Sequence, residues 1–135
     1  MAGSFFDTNV LIYLAVTDPV RTARAQAMVV GGGHVSVQVL NEIASVARRK
    51  HHKPWSEITT FLDLLRSFVE VAPLTVETHE MGLRLAQRYG FSVYDAMIVA
   101  AALLLGCDVL WSEDMQDGLV VEGDLRIMNP FRLGA

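Results

Sequence analysis

A chain of 135 residues, 52% hydrophobic and 19% charged, has the size and composition of one compact globular domain, which excludes a disordered or fibrous protein. The formal net charge of -4 is the opposite of the basic footprint that phosphate binding usually leaves, but it decides nothing alone, because acids gathered around a cation would leave a site's working charge to the ion. The single cysteine, Cys107, excludes an internal disulfide and fits a reducing cytoplasm.

No membrane span is expected. The longest apolar run, Ala96 to Cys107, is bracketed by Asp95 and Asp108 and is shorter than the ~20 residues a span requires. The N-terminus lacks a basic segment before its first acid, Asp7, so no signal peptide is expected.

In chain order, Ser4 to Asp7 begins as a short apolar strand, and Asn9 to Val16 continues as an apolar helix. Asp18-Pro19 pairs an N-cap with proline at the first helical position, and that helix runs to Gly31-Gly32-Gly33. His34 to Val37 reads as a second strand. The helix after it has apolar residues at Val39, Leu40, Ile43, Ala44 and Ala47. It ends in the basic run Arg48 to Lys53, and Pro54 blocks its continuation. Ile58, Phe61, Leu62, Leu65 and Phe68 are spaced for a helix over Trp55 to Phe68, with a strand at Val69 to Leu74. An amphipathic helix runs from Thr75 to Gly90, and Tyr94 to Leu105, apolar on every side, predicts a buried helix. Asp108 to Ser112 is a strand, Met115 to Gly118 a turn and Leu125 to Met128 a last strand. The alternation predicts a single α/β domain over 1–135, a three-layer α/β/α sandwich around a mainly parallel sheet.

That topology gathers four distant acids. Asp7 and Asp114 follow strands, and Glu42 lies in the first turns of a helix that follows one. Ligands of open parallel sheets bind beyond the carboxyl ends of the strands, so all three fall on one edge. Asp95 opens a helix running antiparallel to the strand it feeds, which brings its N-terminus to the same edge. Structural readings stand beside the functional one: Asp7 as a helix cap, Asp95 as the end of a Ser92-Val93-Tyr94-Asp95 capping box, and Asp114 and Asp117 as turn acids. Glu42 has the weakest such reading. Val46 stands one turn on, where a basic partner would be expected.

Two carboxylates ~4 Å apart repel by about 4 kcal/mol at an effective dielectric of ~20. Four in one pocket therefore require raised pKa values or a bound cation. Ligation by oxygen alone favours a hard ion, Mg²⁺ or Mn²⁺, and such an ion can assist phosphodiester hydrolysis.

Four segments, Phe5 to Leu11, Val37 to Glu42, Tyr94 to Ile98 and Ser112 to Gly118, resemble in order the four motifs of PIN domains, most closely the VapC-like toxins of toxin–antitoxin pairs. The resemblance implies a Mg²⁺- or Mn²⁺-dependent endoribonuclease with Asp7, Glu42, Asp95 and Asp114 as its acidic site. It implies supporting roles for Thr8 and Ser112, with Asp117 as a further acid beside the site. It also implies a homodimer, a cognate antitoxin covering the groove, and structured RNA such as transfer or ribosomal RNA as substrate. The alternative is a catalytically silent PIN-like module that binds RNA or protein.

The remaining residues add little to this picture. His34, His51, His52 and His79 are placed for structure or solvent, not for acid–base work. The basic run suits a helix C-terminus through the macrodipole, with RNA contact as the second possibility; Arg21 and Arg24 invite the same caution. The six methionines, Trp55 and Trp111 read as packing residues. An aspartyl phosphatase-like fold would need a second aspartate where Asn9 stands.

Overall fold

Among the described residues, strands of two to four residues are, for most of the chain, separated by helices, five of which run twelve to fourteen residues. The structure, a computed structural model, describes residues 3–132. Strand β1 (Ser4–Phe6) leads into a short helix α1 (Thr8–Leu11) and a 3-10 turn at Ile12–Leu14, followed by α2 (Pro19–Val30), β2 (His34–Ser36), α3 (Val37–Arg49) and α4 (Trp55–Arg66). Then come β3 (Glu70–Ala72), α5 (Val76–Tyr89), α6 (Val93–Leu104), β4 (Val109–Trp111), β5 (Val120–Val121) and β6 (Leu125–Met128).

The six strands form one sheet in the order β3-β2-β1-β4-β6-β5. All pairs are parallel except β5 with β6. The fold is thus α/β, with a mostly parallel sheet flanked by helices. From β1 the chain steps outward to β2 and β3, then crosses back to β4 on the other side of β1. Right-handed crossovers in opposite directions place their helices on opposite faces, so the gap between β1 and β4 is the topological switch point. Phe6 pairs with Trp111 there, and the next residues at that edge are Asp7 and Ser112.

The central strands are dry: Phe5, Phe6, Val35, Leu110 and Ile127 are fully or almost fully buried. Helix α6 is buried from Ala96 to Ala102. Four of those seven residues are alanine, which lets the helix lie close to the sheet. Gly82 of α5 packs against Met97, where an added Cβ would stand 2.6 Å from the sulfur. Among the described residues, no helix is long and apolar enough to cross a membrane.

Three expectations need correction. The helix over Asn9 to Val16 is broken into α1 and the 3-10 turn, and Thr22 Oγ1 donates to Tyr13 O (2.6 Å) and Val16 O (3.2 Å), satisfying carbonyls the break leaves over. Strand β5 is additional; two residues carry no periodicity, and the reversal after it uses positive φ at Glu122 and Gly123. Trp55 is 57% exposed and lies under the Arg48 guanidinium, 4.9 Å from the ring centre, so it is not a core residue.

Gly33, with φ of +156°, leaves no room for a side chain: a Cβ would stand 2.5 Å from the Phe6 ring and 3.0 Å from Ser4 O. Gly33→Ala is expected to destabilise the protein by about 2–4 kcal/mol, read as a lower denaturant midpoint at unchanged slope. A midpoint equal to the parent's would contradict this packing.

Candidate active site

Asp7 occupies the first position beyond β1, where the chain turns from strand into helix. Its backbone N–H still pairs with Trp111 O (3.0 Å), so the carboxylate is delivered to the switch point with strand precision. It is only 4% exposed. Thr8 N donates to its Oδ1 (2.7 Å), while Ser112 Oγ (2.9 Å) and Asn9 Nδ2 (3.2 Å) donate to its Oδ2. Asp7 is therefore the cap of α1, and the same geometry fixes both of its oxygens.

Glu42 arrives from α3. Thr8 Oγ1 donates to its Oε1 (2.5 Å) and Gln38 Nε2 to its Oε2 (3.3 Å). The Gln38 amide also donates to Tyr94 O (2.8 Å), tying this helix to the start of α6. There Ser92 caps the helix by accepting from Asp95 N (3.2 Å), and the Asp95 side chain lines the cleft. Asp114 enters from the loop after β4. Asn9 Oδ1 accepts from Glu113 N (2.9 Å) and Ser112 Oγ from Met115 N (3.2 Å), which fixes the backbone on both sides of it.

Asp7, Glu42, Asp95 and Asp114 line one cleft of about 550 Å³, together with Thr8, Asn9, Tyr13, Glu113, Arg49 and Lys50. Burial pushes the Asp7 carboxyl up to about 7; hydrogen bonds from Ser112 and Thr8 oppose this, and the charges of Asp95 and Glu42 add to it. Burial also raises Asp95, opposed by Ser92 and reinforced by the charge of Asp114. Like charges thus converge at a cost, which a cation would relieve. Among the described residues, no three acidic, histidine or cysteine side chains stand close enough to enclose an ion. The arrangement is open. It suits a hard ion that takes one or two carboxylates and fills its other positions with water and substrate oxygen.

Thr8 contacts Asp7 and Glu42, and Ser112 contacts Asp7. Asp117 does not line the cleft; its Oδ1 accepts from Asn129 N (2.8 Å), twelve residues on, which ties its loop to the end of β6. None of the four histidines lines it either. Asn9 and Gln38 were missed as organising residues. Gln38 lies one helical turn before Glu42, a signal the sequence carries. Glu113 was missed as well, and it is already committed: Tyr13 OH donates to Oε1 (2.6 Å) and Arg21 Nε to Oε2 (2.8 Å). Burial and the hydrogen bond to Glu113 push Tyr13 up to about 12, so it stays a donor.

The raised Asp7 carboxyl makes stability depend on pH. Below 3.8 the folded and unfolded chains both hold the proton; from 3.8 to about 7 only the folded chain does; above about 7 neither does. Stability of the metal-free protein should therefore fall as pH rises through that window and level off above it. Asp7→Asn should remove the share of this fall that Asp7 contributes, leaving that of the raised Asp95, and be more stable than the parent by about 2–4 kcal/mol at the plateau. Parallel denaturation curves for the two proteins across the window would contradict the assignment.

A family model described as PIN domain matches residues 4–116. No curated protein sequence matches. Among solved structures, a toxin–antitoxin complex from Klebsiella pneumoniae contains a similar chain, with a TM-score of 0.70 at 24% identity over 94% of this chain and 97% of that one. VapC20 of Mycobacterium tuberculosis, described as a sarcin–ricin loop cleaving toxin, has a TM-score of 0.69 at 19% identity over 82% and 89%. FitAcB of Neisseria gonorrhoeae has 0.69 at 16% over 96% and 99%. Identities this low establish a shared fold and nothing more. The family match runs from the first strand into the loop that carries Asp114, and the chain belongs to the PIN-domain family.

Proposed function

We propose that this protein is a Mg²⁺- or Mn²⁺-dependent endoribonuclease, the toxin of a toxin–antitoxin pair that blocks translation by cutting structured RNA. The observation that carries the reading is Asp7: a carboxylate buried at the switch point, raised to about 7, in one cleft with Glu42, Asp95 and Asp114. Membership of the PIN-domain family supports nuclease chemistry. The similarity to chains from toxin–antitoxin complexes supports a cognate antitoxin. The description of VapC20 supports ribosomal RNA as a substrate class, with transfer RNA the other. The working form proposed is a homodimer in the cytoplasm.

In this reading Asp7, Asp95 and Asp114 hold the ion directly or through water, with Glu42 as a further ligand or as the group that orients one. When bound, a divalent ion lowers the pKa of water and neutralises charge building on the phosphate. The protein's own part is placement. Ser112, Asn9 and Thr8 fix both oxygens of Asp7, so no side-chain reorganisation is needed as charge develops. Thr8 and Gln38 donate to Glu42, which keeps its carboxylate at the wall of the cleft. The switch-point position leaves the mouth open to a long polyanion.

Asp7→Asn should lower RNA cleavage by about 10²-fold or more while leaving the circular dichroism spectrum unchanged. Chelation should abolish cleavage by the parent protein, and added Mn²⁺ should restore it. Full activity of the variant under Mn²⁺, or cleavage that persists in chelator, would defeat the proposal. RNA binding without any cleavage by the parent would instead favour a silent binding module.

A further inference from the structure

The basic run Arg48 to Lys53 is not a uniform patch; the fold divides it. Arg48 Nη1 donates to Lys53 O (3.1 Å), and its guanidinium stacks on Trp55. Lys53 Nζ lies 3.9 Å from Glu57. The chain reverses between them, with His52 at a φ of 54°, and both residues contact the α4 side: Trp55 and Glu57 belong to that helix. Arg49 and Lys50 go the other way and line the acidic cleft.

Their charges are not spent on the acids there. Among the described residues, neither Arg49 nor Lys50 forms an ion pair, although Asp7, Glu42, Asp95, Glu113 and Asp114 line the same cleft. Arg49 is nonetheless positioned: its Nε donates to Ser45 Oγ (3.0 Å), one helical turn back on the cleft wall. That leaves both Nη groups, the fork that matches a phosphate. A polyanion approaching a chain of net charge -4 meets repulsion except where cations are local. Here the local cations border the cleft itself.

We infer that Arg49 and Lys50 form a phosphate subsite that holds the RNA backbone beside the acidic centre. This rests on the nuclease reading and extends it by naming where the strand is gripped. The subsite binds and positions RNA; the reacting phosphate belongs to the acids. The macrodipole accounts for basic residues at the end of α3, yet it does not explain why two face the cleft while their neighbours are tied elsewhere. An acidic protein segment is the competing occupant.

The test compares Arg49→Gln/Lys50→Gln with Arg48→Gln/Lys53→Gln, each on an Asp7→Asn background that allows binding without turnover. The probe is a fluorescent random-sequence single-stranded RNA, titrated at several salt concentrations. The Arg49/Lys50 pair should weaken binding about tenfold at low salt and make the salt slope shallower by about 1.4, or about 0.7 for each phosphate left without its cation. The Arg48/Lys53 pair should leave the slope unchanged, and Lys50→Arg should retain it. In the otherwise unaltered protein, Arg49→Gln/Lys50→Gln should raise KM for RNA more than it lowers kcat, with the thermal midpoint unchanged. An unchanged slope while the parent still cleaves RNA would overturn the subsite alone. A shift in Mn²⁺ affinity without a slope change would reassign the pair to tuning the acids. Equal loss of binding to polyglutamate would point to a protein partner and overturn the RNA assignment. No RNA binding and no cleavage by the parent would remove both readings together.

Discussion

Everything at the carboxyl edge of the sheet is arranged around one unfavourable act, the burial of the Asp7 carboxylate between β1 and β4. Desolvation pushes its carboxyl to about 7, and three donors reach its two oxygens. Those donors do further work. Ser112 Oγ also accepts from Met115 N, Asn9 bridges to Glu113 N, and Thr8 turns its hydroxyl to Glu42. Each group that compensates the buried charge thus also fixes another part of the site. Removing one donor would disturb several elements at once, which is how a polar network in a low-dielectric setting acquires rigidity.

The sheet makes this burial possible. A carboxylate after an edge strand would be wet, with an ordinary pKa. Asp7 follows the strand that lies between the two opposite crossovers, and its neighbours Phe5 and Phe6 are almost fully buried. The tight approach of Gly33 to Phe6 keeps the start of β2 close to that strand, and that of Gly82 to Met97 keeps α5 close to α6, the helix that carries Asp95. Packing remote from the cleft therefore sets the electrostatics within it. Glu113 adds a further tie. Paired with Arg21 and Tyr13, it links α2 to the loop carrying Asp114, so that loop is held on both the strand side and the helix side.

Much of this was legible before any coordinates. The strand–helix alternation, the Asp18-Pro19 and Thr75 helix starts and the gathering of the four acids follow from periodicity, capping chemistry and sheet topology, each of which is local or modular. What escaped was set by tertiary geometry. The break after Leu11 depends on Thr22, a residue of the next helix, taking the freed carbonyls. The commitment of Glu113 depends on Arg21, 92 residues away in sequence, and no spacing rule reaches that far. Asp117 and Asp114 are both turn acids by sequence; only the pairing of Asp117 with Asn129 N separates their roles. Asn9 entered the sequence argument only as the absence of a second aspartate, whereas its amide is the bridge between the β1 and β4 loops.

The charge balance makes the same point from the other direction. A net charge of -4 argues against nucleic acid when averaged over the surface, but screening limits each charge to a neighbourhood of roughly 10 Å. Within that range of the cleft the balance is different. Glu113 is already paired with Arg21, and Arg49 and Lys50 border the opening without ion-pair partners among the described residues, set against Asp7, Glu42, Asp95 and Asp114 on the same cleft. The carboxylates outnumber these two cations, so a divalent ion at the floor is what would move the local sum toward positive. The field that an incoming phosphate meets is therefore set by about seven side chains, and the other charges of the chain bear on solubility far more than on recognition.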